Sequence, residues 1–180
     1  MPKENNKINR ILRMFYEYPE KEFTIREIAK LAKIPKATVH QYMAQLKKQK
    51  LITKDNRAET NLLFKTKKIN YYIEQIASSG LIEELVKTLN PSCIILFGSV
   101  RKGDSVKESD IDLFIEASTK KAISLSVEVS LKKAVSLKIF EKQLGHKIQL
   151  FVEPDIKKLH SNLLNNVVNG IKLYGSFTIT

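Results

Sequence analysis

The sequence predicts an α+β protein of two domains, an N-terminal domain of helices and a C-terminal domain built on a small β-sheet with flanking helices. Apolar residues repeat at helical spacing through residues 8–46. Two short continuous apolar runs, residues 93–97 and 111–115, are typical of buried strands. With 43% apolar and 28% charged residues, the composition is that of a globular protein.

The basic charge is concentrated in the first third of the chain. Residues 1–70 contain 17 Lys and Arg against 7 Asp and Glu, a net charge of +10, whereas residues 71–180 contain 14 against 12, a net charge of +2. Because cationic side chains neutralise phosphates, this asymmetry favours a polyanion-binding domain joined to a nearly neutral one. A lysine-rich, solubilising surface is the alternative interpretation.

Cysteine content and hydropathy restrict the cellular setting. The single cysteine, Cys93, excludes an intramolecular disulfide and a cysteine-based zinc site. No apolar run approaches the roughly 18 residues needed to cross a bilayer, and the segment MPKENNKINR lacks the apolar centre of a secretory signal. We therefore expect a cytoplasmic protein with no membrane partner.

The N-terminal domain is predicted to contain three helices and a hairpin. Helix one ends near Pro19, and Thr24 precedes helix two with Glu27 at capping-box spacing. After a turn at residues 34–37, apolar residues predict a third helix up to about Gln49. The predicted hairpin consists of a strand at 51–54, a turn at 55–57 and a returning strand at 61–65.

The segment FTIREIAKLAKIPKATVHQYMAQLKKQKLITK, residues 23–54, resembles the winged helix-turn-helix domains of prokaryotic transcription regulators. The resemblance implies a winged helix over residues 1–68, with three helices plus a β-hairpin wing. It implies that the third helix enters the major groove of double-stranded DNA. The implied DNA-binding residues are Lys36, Thr38, His40, Gln41, Lys47, Lys48 and Arg57. Such domains also serve as protein–protein adaptors, and as regulators they commonly form homodimers.

Residues 69–80 are predicted to form a connecting helix and linker, and residues 81–180 the second domain. The apolar run 93–97 stops at Gly98-Ser99, and Asp110-Ile111-Asp112 opens the second run. Strand alternation places Asp110 and Asp112 on one face of the sheet, and Ile111 on the other.

This pattern suits phosphoryl chemistry. Two carboxylates two strand positions apart can share a pair of Mg²⁺ ions about 3.5–4 Å from each other. Gly98 would let the backbone approach a triphosphate closely, and Ser99 at the start of a helix could donate to its phosphates. In contrast, His146 and His160 have no neighbouring ligand spacing, and we expect them to be packing or surface histidines.

The stretch LFGSVRKGDSVKESDIDLFI, residues 96–115, resembles the minimal branch of the polymerase-β-type nucleotidyltransferase superfamily through Gly-Ser, ten residues and Asp-x-Asp. The resemblance implies a small mixed β-sheet flanked by helices. It implies that Asp110 and Asp112 are the catalytic and Mg²⁺-binding residues, with Gly98 and Ser99 binding a nucleoside triphosphate, ATP above all. The implied reaction transfers AMP to a hydroxyl of a protein or small molecule. Members of this branch often act as antitoxins that modify a toxin partner.

One position departs from the family pattern, in which a later strand supplies a third carboxylate. The matching strand is predicted at residues 146–152, and the aligned residue is Gln149. An amide cannot accept a proton as a base. Three states stay open: activity with two aspartates, activity rescued by Glu153 or by the substrate's own base, and nucleotide binding without turnover. The last would describe a transcriptional regulator whose second domain binds nucleotide or dimerises.

Overall fold

The structure is a computed structural model that describes residues 3–117 and 137–178. It divides into two compact units. The first unit comprises Met1–Lys68 and Ser105–Lys107, and the second comprises Ile69–Asp104 and Glu108–Thr180. Within the described ranges, no helix combines the length and apolarity that crossing a membrane requires.

The first unit contains the three predicted helices, α1 (Lys3–Glu17), α2 (Ile25–Ala32) and α3 (Lys36–Lys48). The capping box of α2 is confirmed, because Thr24 Oγ1 accepts from the Glu27 amide at 3.2 Å and Glu27 Oε2 accepts from the Thr24 amide at 2.9 Å. These two bonds satisfy amides that a helix start otherwise leaves unpaired. The helices enclose a core whose buried members include Phe15, Phe23, Ile28, Val39 and Leu46.

The predicted wing is partly wrong. Residues 61–65, predicted as its returning strand, instead include the start of α4 (Leu62–Ser78). The physical reason is the Asn61 side chain, whose Oδ1 accepts from the Phe64 amide at 2.9 Å while its Nδ2 donates to the Lys50 carbonyl at 2.8 Å. An asparagine that satisfies an amide three residues ahead starts a helix. The wing is therefore reduced to a short loop closed by the bridge between Ile52 and Ala58.

The second unit has the predicted small mixed sheet. Its strands are β1 (Cys93–Phe97), β2 (Ile111–Glu116), β3 (Ile148–Glu153) and β4 (Ile171–Gly175). They lie in the order β3-β2-β1-β4, with β1 antiparallel to both neighbours and β2 parallel to β3. The helices of this unit, besides the second half of α4, are α5 (Leu81–Leu89), α6 (Gly98–Lys102), α7 (Leu137–Leu144), the 3₁₀ turn Ile156–Lys158 and α8 (Ser161–Val168).

Strand β2 is buried on both faces of the sheet. Ile111 belongs to the larger apolar cluster, together with Leu113, Ile115 and residues of α4, α5 and α7. Phe114 belongs to a second cluster on the opposite face, beside Ile95, Phe97 and Val167. The alternation predicted from the sequence is confirmed, but the face that carries Asp112 also packs an apolar core. A one-residue slip would turn Asp112 into the larger cluster, so burial fixes the register.

Candidate active site and nucleic-acid interface

The two aspartates lie at the start of β2. Asp110 directly precedes the strand, and Asp112 is its second residue. The antiparallel register pairs Asp112 with Phe97, the last residue of β1. The chain leaving β1 therefore passes the aspartates as it enters α6, which begins at Gly98 and confirms the helix predicted there.

Gly98 is in direct contact with Asp112. It has a φ of 72°, and a Cβ added to it would overlap Oδ2 of Asp112 and lie 2.9 Å from the Asp112 Cγ. Both the backbone conformation and the space therefore require glycine. Ser99 follows within α6, and no side chain caps the start of that helix. Gly98, Ser99 and the carboxylate of Asp112 thus lie at one end of the two central strands, β1 and β2.

The electrostatics of the pair favour a cation. Burial raises the pKa of Asp112 above its ordinary value, and the neighbouring charge of Asp110 raises it further. Two carboxylates close enough to repel each other supply only oxygen donors, which suit a hard cation such as Mg²⁺. Within residues 3–117 and 137–178, no group of three or more His, Cys, Asp and Glu residues is arranged so that it could hold a metal ion. Any fit to Mg²⁺ therefore depends on this pair.

The neighbouring strand places Gln149 beside the pair. In the parallel register of β2 and β3, Asp112 is opposite Gln149, and Glu116 is opposite Glu153. Glu153 is four residues beyond Gln149 along β3, and its backbone is therefore about 13 Å from that of Gln149, at roughly 3.3 Å per residue. Rescue of the site by Glu153 is therefore excluded by distance, whereas the exposed amide of Gln149 is adjacent to Asp112.

A cavity of about 700 Å³ opens at the opposite end of the sheet. Its lining includes Glu116, whose carboxylate accepts from Ser92 Oγ at 2.5 Å and from the Ile156 amide at 2.9 Å. Both carboxylate oxygens of Glu116 thus join the ends of the strands to the following turn. The aspartate pair does not line this cavity.

Helix α3 presents one buried and one exposed face. Val39, Met43 and Leu46 are buried in the first unit. The exposed face carries four of the predicted DNA-binding residues, Lys36, His40, Gln41 and Lys48, while Thr38 is half-buried. The N-terminal end of α3 thus combines a cation and an amide in solvent, as expected for a helix that reads the major groove.

Two of the predicted DNA-binding cations have partners within the protein. Lys47 Nζ donates to the Lys54 carbonyl at 2.8 Å, joining α3 to the wing loop. Arg57 Nη2 lies 3.4 Å from the Glu22 carboxylate, and both side chains are about half exposed. Such exposed ion pairs contribute little to stability, so Arg57 can exchange Glu22 for another anion.

Two family models match the chain. The model described as "Polymerase beta, Nucleotidyltransferase" matches residues 80–176, and the model described as "IclR helix-turn-helix domain" matches residues 7–56. A search of the curated proteins found no match. The matched segments contain the aspartate pair and α3 respectively, which confirms both resemblances.

The contact between Gly98 and Asp112 can be tested by Gly98→Ala with Gly80→Ala as the matched control. Both glycines have positive φ, but a Cβ at Gly80 would meet nothing within 4 Å. Both variants therefore carry the same kind of backbone strain, roughly 1–2 kcal/mol, and only Gly98→Ala displaces the carboxylate. We expect Gly98→Ala to weaken Mn²⁺ binding by about tenfold or more, measured by electron paramagnetic resonance. Equal Mn²⁺ affinities in the two variants would contradict the contact.

The raised pKa of Asp112 predicts a gain in stability on Asp112→Asn in metal-free buffer. A folded-state pKa above the unfolded value means that the group's contribution to stability is present at acid pH and lost as the pH rises through the folded-state pKa. The asparagine variant escapes that loss. We expect its thermal midpoint to exceed that of the wild type at pH 7 in EDTA, with the difference growing from acid to neutral pH.

The exposed Glu108 supplies the control for this prediction, since Glu108→Gln removes a charge nearby in the same unit. That variant should not show the pH-dependent gain. Addition of Mg²⁺ should raise the midpoint of the wild type and leave that of Asp112→Asn unchanged. A variant less stable than the wild type at pH 7 in EDTA would refute the assignment.

Proposed function

Because the chain belongs to the polymerase beta nucleotidyltransferase family, we propose that its second unit transfers a nucleoside monophosphate, AMP above all, from a nucleoside triphosphate to a hydroxyl group. A helix-turn-helix DNA-binding domain precedes this unit. The observation that supports transfer most directly is the carboxylate of Asp112, lying against Gly98 and electrostatically coupled to Asp110.

The residues of the site have separate roles. Asp110 and Asp112 would hold Mg²⁺, which when bound neutralises charge on the phosphates during transfer. Gly98 would let the backbone approach the triphosphate, and any side chain there would displace the Asp112 carboxylate. The Ser99 hydroxyl and amide donate to the triphosphate from the uncapped start of α6.

The proposed step breaks a phosphoanhydride bond of the triphosphate and forms a phosphodiester bond to the acceptor. The acceptor's hydroxyl oxygen bonds to the α-phosphorus, and the bond from that phosphorus to the bridging oxygen breaks, releasing pyrophosphate. The hydroxyl proton passes to solvent or to a base on the acceptor, because Gln149 is an amide and cannot take it. A toxin protein as acceptor would make the chain an antitoxin, the role implied by its resemblance to the minimal branch.

A second candidate function is favoured by the position of Gln149. It lies opposite Asp112 in the sheet, where the resembled family has a third carboxylate. With an amide there, the second unit would bind nucleotide without transferring it, and the chain would be a nucleotide-responsive transcriptional regulator. A homodimer bound to two DNA half-sites stays a prediction under either function.

On the DNA side, we propose that α3 enters the major groove. The exposed amide of Gln41 suits bidentate pairing with adenine, and Lys36 suits guanine or a phosphate. We assign Lys48 and Arg57 to phosphate contacts, which fix orientation without reading sequence.

The transfer reaction is tested by incubating the purified protein with α-labelled ATP, Mg²⁺ and candidate acceptors. Asp110→Asn and Asp112→Asn should each lower turnover by a factor on the order of 10² or more, the scale seen when one charge-stabilising group is removed. Gln149→Glu should raise turnover at limiting Mg²⁺, because it adds a carboxylate beside Asp112. Gln143→Glu, an exposed site on α7, is the charge-matched control. Nucleotide binding without turnover in the wild type and in Gln149→Glu would favour the regulator.

DNA binding is tested by its dependence on salt. Lys36→Ala combined with Lys48→Ala removes two exposed cations from α3 and spares Lys47, which is bonded to the wing. Since each phosphate contact contributes about 1, we expect the slope of log affinity against log salt to fall in magnitude by about 2 when both lysines contact phosphates, and by about 1 when Lys36 contacts guanine. Lys87→Ala combined with Lys142→Ala makes the same charge change on the second unit and should leave the slope unaltered. Equal slopes for both double variants would rule out α3 as the interface.

A further inference from the structure

The backbone on both sides of Asp110 is held by two consecutive residues. The Ile111 amide donates to the Lys147 carbonyl at 2.8 Å, which opens the pairing of β2 with β3. On the other side, the Ser109 carbonyl accepts from Nδ1 of His146 at 2.8 Å. Asp110 itself lies before β2 and has no partner in the strand registers. These flanking bonds therefore constrain where its carboxylate can lie.

The side chain of His146 is buried and has a defined hydrogen-bonding state. Its Nε2 lies 3.1 Å from the hydroxyl of Tyr72, and the two rings meet edge to face with centroids 5.3 Å apart. A carbonyl can only accept, so Nδ1 must carry the proton that is donated to Ser109. In the neutral ring Nε2 is then an acceptor, and the Tyr72 hydroxyl donates to it. The two bonds fix the tautomer and the ring orientation together.

Both ends of this chain of hydrogen bonds are anchored. Tyr72 lies in the second half of α4 and belongs to the larger apolar cluster, where only 3% of its surface is exposed. Two residues after His146, the Ile148 amide donates to the Glu141 carboxylate of α7 at 3.0 Å. His146 is thus fixed by the core through Tyr72, while β3, which begins two residues after it, is fixed by α7. Motion of Ser109 away from this position would break a partly buried hydrogen bond.

We propose that His146 is a positioning residue that holds Asp110 beside Asp112 through the Ser109 carbonyl, with Tyr72 fixing the orientation of its ring. This inference rests on the proposed function, in which the aspartate pair binds a divalent cation. A site with two carboxylates depends on the placement of each, since neither can be replaced by a third. Groups that orient metal ligands without touching the metal typically change metal affinity by 10–100-fold when they are lost.

Four variants separate positioning from general stability. His146→Leu removes both hydrogen bonds and keeps an apolar side chain, whereas His146→Asn retains an amide donor near the place of Nδ1. Tyr72→Phe removes only the hydroxyl that donates to Nε2. Ile115→Val is the control, because it trims the buried core at the other end of β2, at a typical cost of about 0.5–1.5 kcal/mol.

The primary readout is Mn²⁺ affinity in the absence of nucleotide, measured by electron paramagnetic resonance on the full chain. We expect His146→Leu to weaken binding by about tenfold. Tyr72→Phe should weaken it less, while His146→Asn and Ile115→Val should stay close to the wild type. Nitrogen-15 spectra of the imidazole, assigned by their absence in His146→Asn, should show a neutral ring protonated at Nδ1.

The outcomes distinguish this inference from the function on which it rests. A wild type that binds no Mn²⁺, or that binds it equally after Asp110→Asn and Asp112→Asn, overturns both. Aspartate-dependent binding that His146→Leu leaves intact overturns only the role of His146. An imidazole of His146 that carries its proton on Nε2 instead of Nδ1 would also overturn only the role of His146. Should His146→Leu fail to fold, His146→Asn and Tyr72→Phe decide: wild-type affinity in His146→Asn with weakened binding in Tyr72→Phe supports the proposal, and any other pattern overturns it.

Discussion

The close approach of the Gly98 backbone to the Asp112 carboxylate is the constraint on which the second unit depends. It requires that β1 end opposite the second residue of β2, which the pairing of Phe97 with Asp112 achieves. It also requires a residue without a Cβ and with positive φ. The result is a carboxylate that is partly desolvated and repelled by Asp110, as its raised pKa shows. Such an arrangement is unfavourable to the folded chain alone and becomes favourable when a cation is bound.

Burial of β2 on both faces makes that constraint robust. Apolar side chains of the two clusters fix the position of β2. Its register therefore cannot shift to return the Asp112 carboxylate to solvent. The same register fixes which residue is opposite Asp112 in the sheet. That residue is Gln149, whatever rotamer its side chain adopts. The backbone pairing therefore keeps an amide beside the aspartates.

The features that the sequence predicted correctly depend on local chemistry. The capping box of Thr24 and Glu27 involves residues three apart, and the alternation of β2 follows from strand geometry. The strand predicted at residues 61–65 was wrong, since a short apolar run fits a strand or a helix, and the Asn61 cap decides for the helix. The site residues of the second unit were suggested by a family pattern, whose spacing reflects the connection from β1 through α6 to β2.

The features that the sequence could not supply depend on distant partners. The bond from Lys47 to the Lys54 carbonyl and the pairing of Arg57 with Glu22 arise only when the wing folds back. His146 was expected to be a packing or surface residue, and it is indeed buried. Its partners, however, are 37 and 74 residues away in the chain. Residue type and local spacing do not encode such distant contacts.

Under the proposed function, an amide at Gln149 where the resembled family has a carboxylate would change the charge balance at the site. Two carboxylates carry one negative charge fewer than three, so they repel one another less and attract a divalent cation less strongly. A bound triphosphate would then supply a larger share of the negative charge that a cation requires. Cation and nucleotide should consequently bind together more than separately, each raising the affinity for the other by the same factor. That reciprocity serves transfer and nucleotide sensing alike, so the fate of the acceptor's proton, rather than affinity, distinguishes the two functions.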